Sequence, residues 1–438
     1  MQKGGVSMNN YKKIYYDNIG EELYIFEHDS GLKCFIIKKP GYSRKHAAIA
    51  ARFGSVNTSF IDPLNNDILD VPAGVAHFLE HKLFEQEYGS VMDKFSQLGA
   101  SPNAYTGFTN TVYLFSCNDN FKQCLELLLN FVQNPFITDE SVEKEKGIIG
   151  QEIDMYQDDG YWRCYFNLLK CLYKNNPVSI DIAGTKESIS NITKEVLYTC
   201  HNTFYHPSNM MFIAVGDVVP EKVFETLDKN IVAREKKPQI QTVFPEKLFD
   251  FNCRLLTQKL SVSMPIFMIG FSDFSEKKYL HEDIHLLNRE AGIKILLEII
   301  AGRSSDFYEQ LYSKGLINSS YTMEYTCEDI FGFSIIGGES TNPSEVMKMF
   351  EEHINEVKQK GISENEFDRV RKALYGRFVK QFNNVEKISH GFITAYFKNS
   401  NMFNNLQIYD TININDVNQL LDKHFNLDRL SMSVVEPL

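Results

Sequence analysis

The sequence lacks several features that would each have indicated a particular class of protein. Its eight cysteines are scattered and form no Cys-x-x-Cys pair, which fits reduced thiols and argues against a cysteine-bound zinc site. The longest apolar run, residues 293–301, is interrupted by Lys294 and Glu298, so no segment reaches the roughly 20 residues that span a bilayer. The first eight residues lack the apolar core of a signal peptide. These absences predict a cytoplasmic protein with no membrane partner.

Positive charge is also in short supply. The 45 lysines and arginines are outnumbered by 57 aspartates and glutamates, for a net charge of −12, which argues against nucleic acid as the main partner. The 43% hydrophobic and 23% charged residues are typical of a globular protein. A chain of 438 residues exceeds one ordinary hydrophobic core and indicates two or more domains.

The most informative motif is a short stretch with two histidines and an acid between them, His77-Phe78-Leu79-Glu80-His81. On a helix of 3.6 residues per turn, His77 and His81 lie about 40° apart and can bind one ion from consecutive turns. Glu80 falls on the same side, where it can act as general base for a water bound to the metal. His-x-x-Glu-His is the inverzincin signature. The alternative is a pair of ordinary helix histidines.

A catalytic zinc ion requires a third protein ligand, because such sites keep three and leave the fourth position to water. Glu152 is the candidate, since it lies with Glu145 on one face of a helical pattern over residues 141–153. A carboxylate on a largely apolar face is unfavourable unless it is paired or bound to a metal. The alternative interpretation is a solvated helix edge.

These motifs, His-x-x-Glu-His followed by a Glu-x6-Glu helix, resemble the pitrilysin/insulysin family of zinc peptidases, which includes the mitochondrial processing peptidases. The resemblance covers nearly the whole chain, with further matches at residues 99–106 and 204–210. It implies that His77, His81 and Glu152 bind Zn²⁺ and that Glu80 is the general base. It also implies that Glu145 is an acid that orients a ligand.

A faint internal repeat predicts the architecture. It consists of short matches at near-constant offsets of 218 and then 216 residues, which indicates a duplication. The matched residues are Ala73-Gly74 with Ala291-Gly292, and Gly99, Tyr105 and Thr106 with Gly315, Tyr321 and Thr322.

We therefore predict an α+β fold of two tandem homologous domains, each a mixed, mostly antiparallel sheet with helices packed on one face. Residues 1–232 form the zinc-bearing domain, residues 233–249 a polar, proline-containing linker, and residues 250–438 a homologous domain without a metal site. At the position of the pentapeptide, the second copy keeps Glu298 but has Ile295 and Ile299 in place of both histidines.

Substrate contacts are predicted at Asn103, Ala104 and Tyr105. The segment 101–106 reads as an exposed strand to which an extended peptide could hydrogen-bond, and the resemblance implies that use. An ordinary core strand is the alternative.

One part of the family pattern is absent. Active relatives carry an Arg and a Tyr in the C-terminal half that bind substrate and stabilise the developing oxyanion. This chain has Tyr312 and Ile317 or Asn318 at those positions. Either Arg303 and Tyr321 substitute, or a homologous partner subunit or a second copy of the chain supplies the pair.

The resulting hypothesis is a zinc endopeptidase for short unstructured peptides, forming the metal-bearing subunit of a two-subunit enzyme. A non-catalytic scaffold or chaperone-like subunit of the same family is the alternative, and a zinc enzyme of other chemistry, such as an amidase, is a third. A second histidine pair, His281 and His285, is a weaker candidate because no matched acid helix accompanies it.

Overall fold

The structure is a computed structural model that describes residues 11–63, 65–232, 240–273 and 283–438. The side chains of the rival pair His281 and His285 lie outside the described residues. The chain forms two compact units, and each takes a segment from the other half of the sequence. The first unit comprises residues 1–153, 181–243 and 381–397, and the second comprises 154–180, 244–380 and 398–438. The predicted domain boundaries at residues 232 and 250 stay a prediction. The two units are defined by which residues lie close together, whereas the predicted domains are the two copies of a sequence duplication.

Seventeen strands are present in the described part of the chain. In chain order they are β1 Lys12–Tyr16, β2 Glu21–Glu27, β3 Lys33–Lys38, β4 Lys45–Ala51, β5 Ser59–Ile61, β6 Ile68–Asp70, β7 Glu85–Gln86, β8 Gly89–Ser90, β9 Ser101–Thr106, β10 Thr111–Cys117, β11 Met210–Gly216, β12 Gln241–Thr242, β13 Leu255–Leu260, β14 Ile266–Ser272, β15 Thr322–Cys327, β16 Gly332–Glu339 and β17 Leu430–Pro437.

The same described ranges contain fifteen α-helices. They are α1 Val75–Leu83, α2 Val91–Gln97, α3 Phe121–Gln133, α4 Asp139–Asp158, α5 Gly160–Leu172, α6 Lys186–Ser190, α7 Lys194–Phe204, α8 Pro220–Asn230, α9 Asp283–Ala301, α10 Asp306–Ser313, α11 Pro343–Lys360, α12 Glu364–Lys380, α13 Val385–Phe397, α14 Asn404–Thr411 and α15 Ile414–His424.

The first unit is built on a seven-stranded sheet with the order β1-β2-β3-β11-β4-β10-β9. Among these described strands the pairings are antiparallel except that between β3 and β11. The apolar strand β11 is buried along its whole length, as expected for a central strand. Helix α1 packs against β9 and β10, and this contact brings the pentapeptide to the end of the sheet where β9 is the last strand.

The second unit contains a five-stranded sheet with the order β13-β17-β14-β16-β15. Its one parallel pairing among described strands joins β13 to β17. Helices α5 and α11 pack on its strand β14, and α9 packs on β15. Helices with mostly antiparallel sheets confirm the predicted α+β class.

The strand register corrects one part of the predicted repeat. Gly99 and Gly315 both follow a short helix with positive φ, +70° and +66°, so their correspondence agrees with the structure. The hairpins that follow are offset by 221 residues, because Thr106 pairs with Thr111 and Cys327 pairs with Gly332. Tyr105 therefore corresponds to Thr326 rather than to Tyr321. Extra residues before β15 shift the register, which isolated sequence matches could not reveal.

No helix within the described residues is both long enough and apolar enough to cross a bilayer.

Candidate metal centre

Helix α1 begins at a close approach of two backbone segments. Gly74 has φ +91°, in the left-handed region, and a Cβ there would lie 2.4 Å from the carbonyl oxygen of Ala183. A Cβ on Gly184 would likewise lie 2.4 Å from the carbonyl oxygen of Ala73. Only glycine avoids both conflicts. The first turn of the helix that carries His77 is therefore fixed against a segment more than a hundred residues away.

His77, His81 and Glu152 converge, although Glu152 is supplied by a different helix. Their ligand atoms all lie within 4.8 Å of one another. Nε2 of His77 lies 3.7 Å from Oε1 of Glu152, and Nε2 of His81 lies 3.6 Å from Oε2 of the same residue. These distances are too long for hydrogen bonds. They approach the roughly 3.3 Å that separates ligand atoms around a tetrahedral zinc ion. The three residues thus fit Zn²⁺ in both type and spacing.

A carboxylate orients one of the two histidines. Nδ1 of His81 lies 3.1 Å from Oε1 of Glu145, so the tautomer that donates from Nδ1 leaves the Nε2 lone pair facing Glu152. Nδ1 of His77, by contrast, is buried without a hydrogen-bond partner in the described structure. Glu145 and Glu152 both lie on α4, and Glu145 contacts His81; its role in orienting a metal ligand stays a prediction.

Glu80 lies on α1 with the two histidines, and a residue of β9 holds its carboxylate. The hydroxyl of Thr106 donates to Oε2 of Glu80 at 2.6 Å. The hydroxyl of Thr111 is engaged elsewhere, because it donates to the carbonyl of Phe53 at 2.8 Å. One Glu80 oxygen thus has a fixed donor, which sets the direction in which the carboxylate points.

The pKa shifts suit metal binding at His77 and base chemistry at Glu80, whereas Glu145 favours the protonated form of His81. Burial, followed by the charge of His81, lowers the pKa of His77 to about 4, so this ring is neutral near pH 7. Burial lowers the pKa of His81, but the hydrogen bond and charge of Glu145 raise it by more. Burial raises the pKa of Glu80 above its usual value, against the hydrogen bond from Thr106. A carboxyl group shifted toward neutral pH is a better general base than a solvated one.

The three residues predicted to contact substrate lie on an edge strand. Asn103, Ala104 and Tyr105 belong to β9, which pairs with β10 on one side and is the last described strand of its sheet. Asn103 is exposed, whereas Ala104 and Tyr105 are half-buried. The Tyr105 ring lies 5.7 Å from the ring of His390 on α13. This arrangement is compatible with an added peptide strand.

The two residues proposed as substitutes for the Arg/Tyr pair are engaged within the second unit. Nη2 of Arg303 donates to the carbonyls of Ser319 and Tyr321, each at 3.1 Å. Tyr321 is 2% exposed, and its hydroxyl donates to the carbonyl of Ala301 at 2.9 Å. These contacts engage Nη2 of Arg303 and the hydroxyl of Tyr321 within the second unit. The substrate-binding role of Arg303 and Tyr321 stays a prediction.

Thr106, Lys82 and Gly184 were not predicted as site residues. Lys82, directly after His81, is fully buried and lies 3.7 Å from Oε2 of Glu145. A lysine next to Leu83 and one turn after Phe78 and Leu79 could have indicated this contact, since lysine is rarely buried without a partner. Nothing in the sequence around Thr106 or Gly184 indicates that Thr106 contacts Glu80 or that Gly184 lies against Ala73.

Two family models match successive parts of the chain. Residues 70–186 match the family model described as Insulinase (Peptidase family M16), and residues 191–374 match the model described as Peptidase M16 inactive domain. The zinc protease YmfH of Bacillus subtilis, described as uncharacterized, is 37% identical over 436 residues, which cover 97% of this chain and 99% of YmfH.

Two further relatives support the same assignment. A solved structure from Alicyclobacillus acidocaldarius, described as an M16-like peptidase, matches with a TM-score of 0.90 and 31% identity, covering 95% of this chain and 99% of that one. The mitochondrial-processing peptidase subunit beta of Neurospora crassa is 27% identical over 175 residues, which cover 39% of this chain and 37% of that subunit. Together with the converging ligand set on α1 and α4, these matches show that the chain belongs to peptidase family M16, the pitrilysin/insulysin family.

Proposed function

We propose that this chain is a zinc-dependent endopeptidase that cleaves short unstructured peptides, with Glu80 as general base. The observation that carries the proposal is the convergence of His77, His81 and Glu152 beside the hydrogen-bonded carboxylate of Glu80. A zinc ion bound there would polarise the scissile carbonyl and acidify water. The relatives named zinc proteases support the same chemistry.

The residues of the chain have separate tasks in this reaction. Glu80 accepts a proton from the attacking water at its free carboxylate oxygen and returns it to the leaving amine. Thr106 keeps the other oxygen of Glu80 fixed by its 2.6 Å hydrogen bond. Glu145 holds the His81 ring through Nδ1. The open edge of β9 supplies main-chain groups that keep the substrate extended.

The test compares wild-type protein with Glu80→Gln on quenched fluorescent peptides of roughly 10 to 30 residues. Glu80→Gln should keep its zinc, measured by metal analysis, and lose about 10²- to 10⁴-fold in kcat. Glu298→Gln is the matched control, because the repeat places Glu298 where the first copy has Glu80. Equal peptide turnover by wild type and Glu80→Gln would refute the proposal.

Metal removal gives an independent measurement. Dialysis against a chelator should abolish turnover and lower Tm, and added zinc should restore both, because a ligand that binds the native state stabilises it. His81→Ala should show no zinc-dependent change in Tm. A wild-type protein whose Tm and turnover ignore zinc would contradict a metal site on α1 and α4.

We further propose that a homologous partner subunit supplies the Arg/Tyr pair. Tyr312 stands at the arginine position and Ile317 or Asn318 at the tyrosine position, and Asn318 donates to Glu339 at 2.7 Å. The relative named as a subunit of the mitochondrial processing peptidase supports a two-subunit arrangement. Co-purification from the native host should recover a second M16 chain, and the complex should turn over peptide faster than the isolated chain. If no second chain is recovered and the protein forms a homodimer, a second copy of the chain is the partner. Full activity of a monomer would refute the proposal that a partner is needed.

A scaffold or chaperone-like role is the competing function. The absence of the Arg/Tyr pair from the family positions favours this role. The intact set of proposed metal ligands, His77, His81 and Glu152, does not. This alternative would be favoured if the zinc-loaded protein cleaved none of the peptides, either alone or with its co-purified partner.

A further inference from the structure

Lys82 is a fully buried lysine next to a proposed metal ligand. Its side chain has 0% relative exposure, although it sits on a nine-residue helix whose neighbouring buried side chains, Phe78, Leu79 and Leu83, are apolar. Removing an ammonium group from water costs several kcal/mol unless charged or polar partners compensate. The partners of Lys82 therefore show why this residue is tolerated there.

Those partners join the two helices that carry the proposed ligands. The Lys82 ammonium donates to the carboxylate of Glu85 and, at 3.3 Å, to the carbonyl of Ser141 in the first turn of α4. It also lies 3.7 Å from Oε2 of Glu145, whose other oxygen contacts Nδ1 of His81. One ammonium group thus links α1 to the backbone and to a side chain of α4.

The α4 end of this link is itself fixed. The hydroxyl of Thr138 accepts from the backbone N–H of Ser141 at 3.1 Å, and the hydroxyl of Ser141 accepts from the backbone N–H of Thr138 at 3.0 Å. This reciprocal cap orders the first turn of α4. The carbonyl that Lys82 contacts therefore belongs to a well-defined helix start.

From these contacts we infer that Lys82 is a positioning residue for the zinc site. It holds Glu145 against His81 and sets the spacing between α1, which carries both histidines, and α4, which carries Glu152. Without the ammonium group, Oε2 of Glu145 loses the cation that lies 3.7 Å from it, and the carboxylate is free to rotate away from Nδ1 of His81. The inference rests on the proposed zinc site and deepens it.

The first experiment measures zinc affinity by competition with a chromogenic chelator for wild type and Lys82→Met, a substitution of similar length and flexibility. We expect about a 10-fold loss of affinity, at the low end of the range for residues that orient a metal ligand. kcat should fall while KM stays near the wild-type value, because Lys82 does not touch substrate.

A matched control separates positioning from mere support of the fold. Lys398 is also buried, with a side chain 6% exposed and Nζ 2.8 Å from Oε2 of Glu290 in the second unit. Lys398→Met should lower the Tm of the metal-free protein without changing zinc affinity. If Lys82→Met behaved in the same way, with lower Tm and unchanged affinity, the inference would be overturned.

A double-mutant cycle tests the route through Glu145. If Lys82 acts by holding Glu145, then Lys82→Met in a Glu145→Gln background should cause little further loss of affinity. Additive losses would overturn this route.

Glu85→Gln replaces Lys82→Met as the test variant if Lys82→Met fails to fold, because the Glu85 side chain is 36% exposed. It leaves Glu145 and Ser141 as partners of Lys82, so affinity should stay within about twofold of wild type. A 10-fold loss would contradict the inference.

Failure of the zinc site and failure of the inference give different results. A wild-type protein that binds no zinc, or binds it as well after His81→Ala, refutes the proposed function. A wild type that binds zinc through His81, together with a Lys82→Met variant of unchanged affinity, refutes only the positioning role.

Discussion

Both terminal nitrogens of Arg377 contact the carboxylate of Glu298, at 2.8 and 2.6 Å. Glu298 corresponds in the repeat to Glu80, the proposed base. Arg377 lies 225 residues after Glu152, the same offset that separates the first residues of α12 and α4. A guanidinium group thus stands at the position that, in the first copy, carries a proposed metal ligand.

This pair explains how the second copy keeps an acid where it lacks both histidines. Glu298 is 7% exposed, and a buried carboxylate requires a cation or several donors. In the first copy we propose that a zinc ion provides the positive charge near the acid. In the second copy a permanent cation provides it, with the planar two-nitrogen geometry that matches a carboxylate.

Replacing Arg377 should therefore destabilise the fold without affecting the zinc site. Arg377→Met leaves the Glu298 carboxylate buried without its bidentate partner, and the expected loss is about 1–3 kcal/mol in the free energy of unfolding. The Arg377 side chain is 58% exposed, so solvent screening keeps the effect below that of a fully buried pair. Urea denaturation measures the loss, and zinc affinity should be unchanged. Lys372→Met, an exposed position on the same helix, is the control and should be near neutral.

Gly74 should be intolerant of a side chain. Gly74→Ala combines a positive φ with a Cβ placed 2.4 Å from the Ala183 carbonyl, so the start of α1 must move. We expect a loss of about 1–3 kcal/mol and weaker zinc binding, because His77 follows within one turn. Gly147→Ala on α4 is the control: nothing lies within 4 Å of its added Cβ, and alanine should stabilise the helix by up to about 1 kcal/mol. Wild-type stability and zinc affinity in Gly74→Ala would contradict this account.

A buried acid in the second unit predicts a specific pH dependence. Asp273 contacts Nδ1 of His424 at 2.6 Å, Nε of Arg289 at 2.9 Å and the hydroxyl of Tyr325 at 2.5 Å. Burial alone would raise the pKa of Asp273, but the charges and hydrogen bonds of His424 and Arg289 lower it well below its usual value. A lowered folded-state pKa adds stability that is fully present above the unfolded-state pKa and is lost as the pH falls below it.

Asp273→Asn should accordingly lower the free energy of unfolding by about 3 kcal/mol at pH 7, because it leaves the half-buried Arg289 guanidinium without its counter-charge. The difference in the free energy of unfolding between wild type and Asp273→Asn should stay constant at neutral pH. It should narrow below about pH 4, near the ordinary pKa of aspartate. Urea unfolding at several pH values measures it. A difference that grows on acidification would refute the assignment.

Cys171 and Cys253 should form a disulfide under oxidation. Their sulfurs lie 3.1 Å apart in the second unit, and the backbone N–H of Cys253 donates to the carbonyl of Cys171 at 3.1 Å. Cys253 is half-exposed, whereas the other seven cysteines are buried. Hydrogen peroxide should oxidise the Cys253 thiol to a sulfenic acid with release of water, and the Cys171 sulfur should then displace the hydroxyl as a second water.

Peptide mapping without reduction should detect the linked peptides, with a mass about 2 Da below that of the two thiols. Cys253→Ser is the control and should yield no linked pair. Progressive oxidation of Cys253 to a sulfinic acid, without any link to Cys171, would contradict this prediction.

Much of the fold class and part of the site could be predicted from the sequence. Helical spacing placed His77, Glu80 and His81 on one side of α1, and the Glu-x6-Glu spacing placed Glu145 and Glu152 on one face of α4. Such relationships depend only on the geometry of a single helix. The correspondence of Tyr105 and Thr106 with Tyr321 and Thr322 was wrong, because residues inserted before β15 leave no periodic signal.

The sequence by itself determined which side chains could bind a metal ion and which acid could act as base, since both follow from residue type and spacing within one helix. Tertiary structure decided that Glu152 meets the histidines, that Thr106 holds Glu80, and that Lys82 joins α1 to α4. These contacts link residues that are distant in sequence or that belong to different elements. They are set by how helices pack on the sheet, and packing depends on many residues at once rather than on any local pattern.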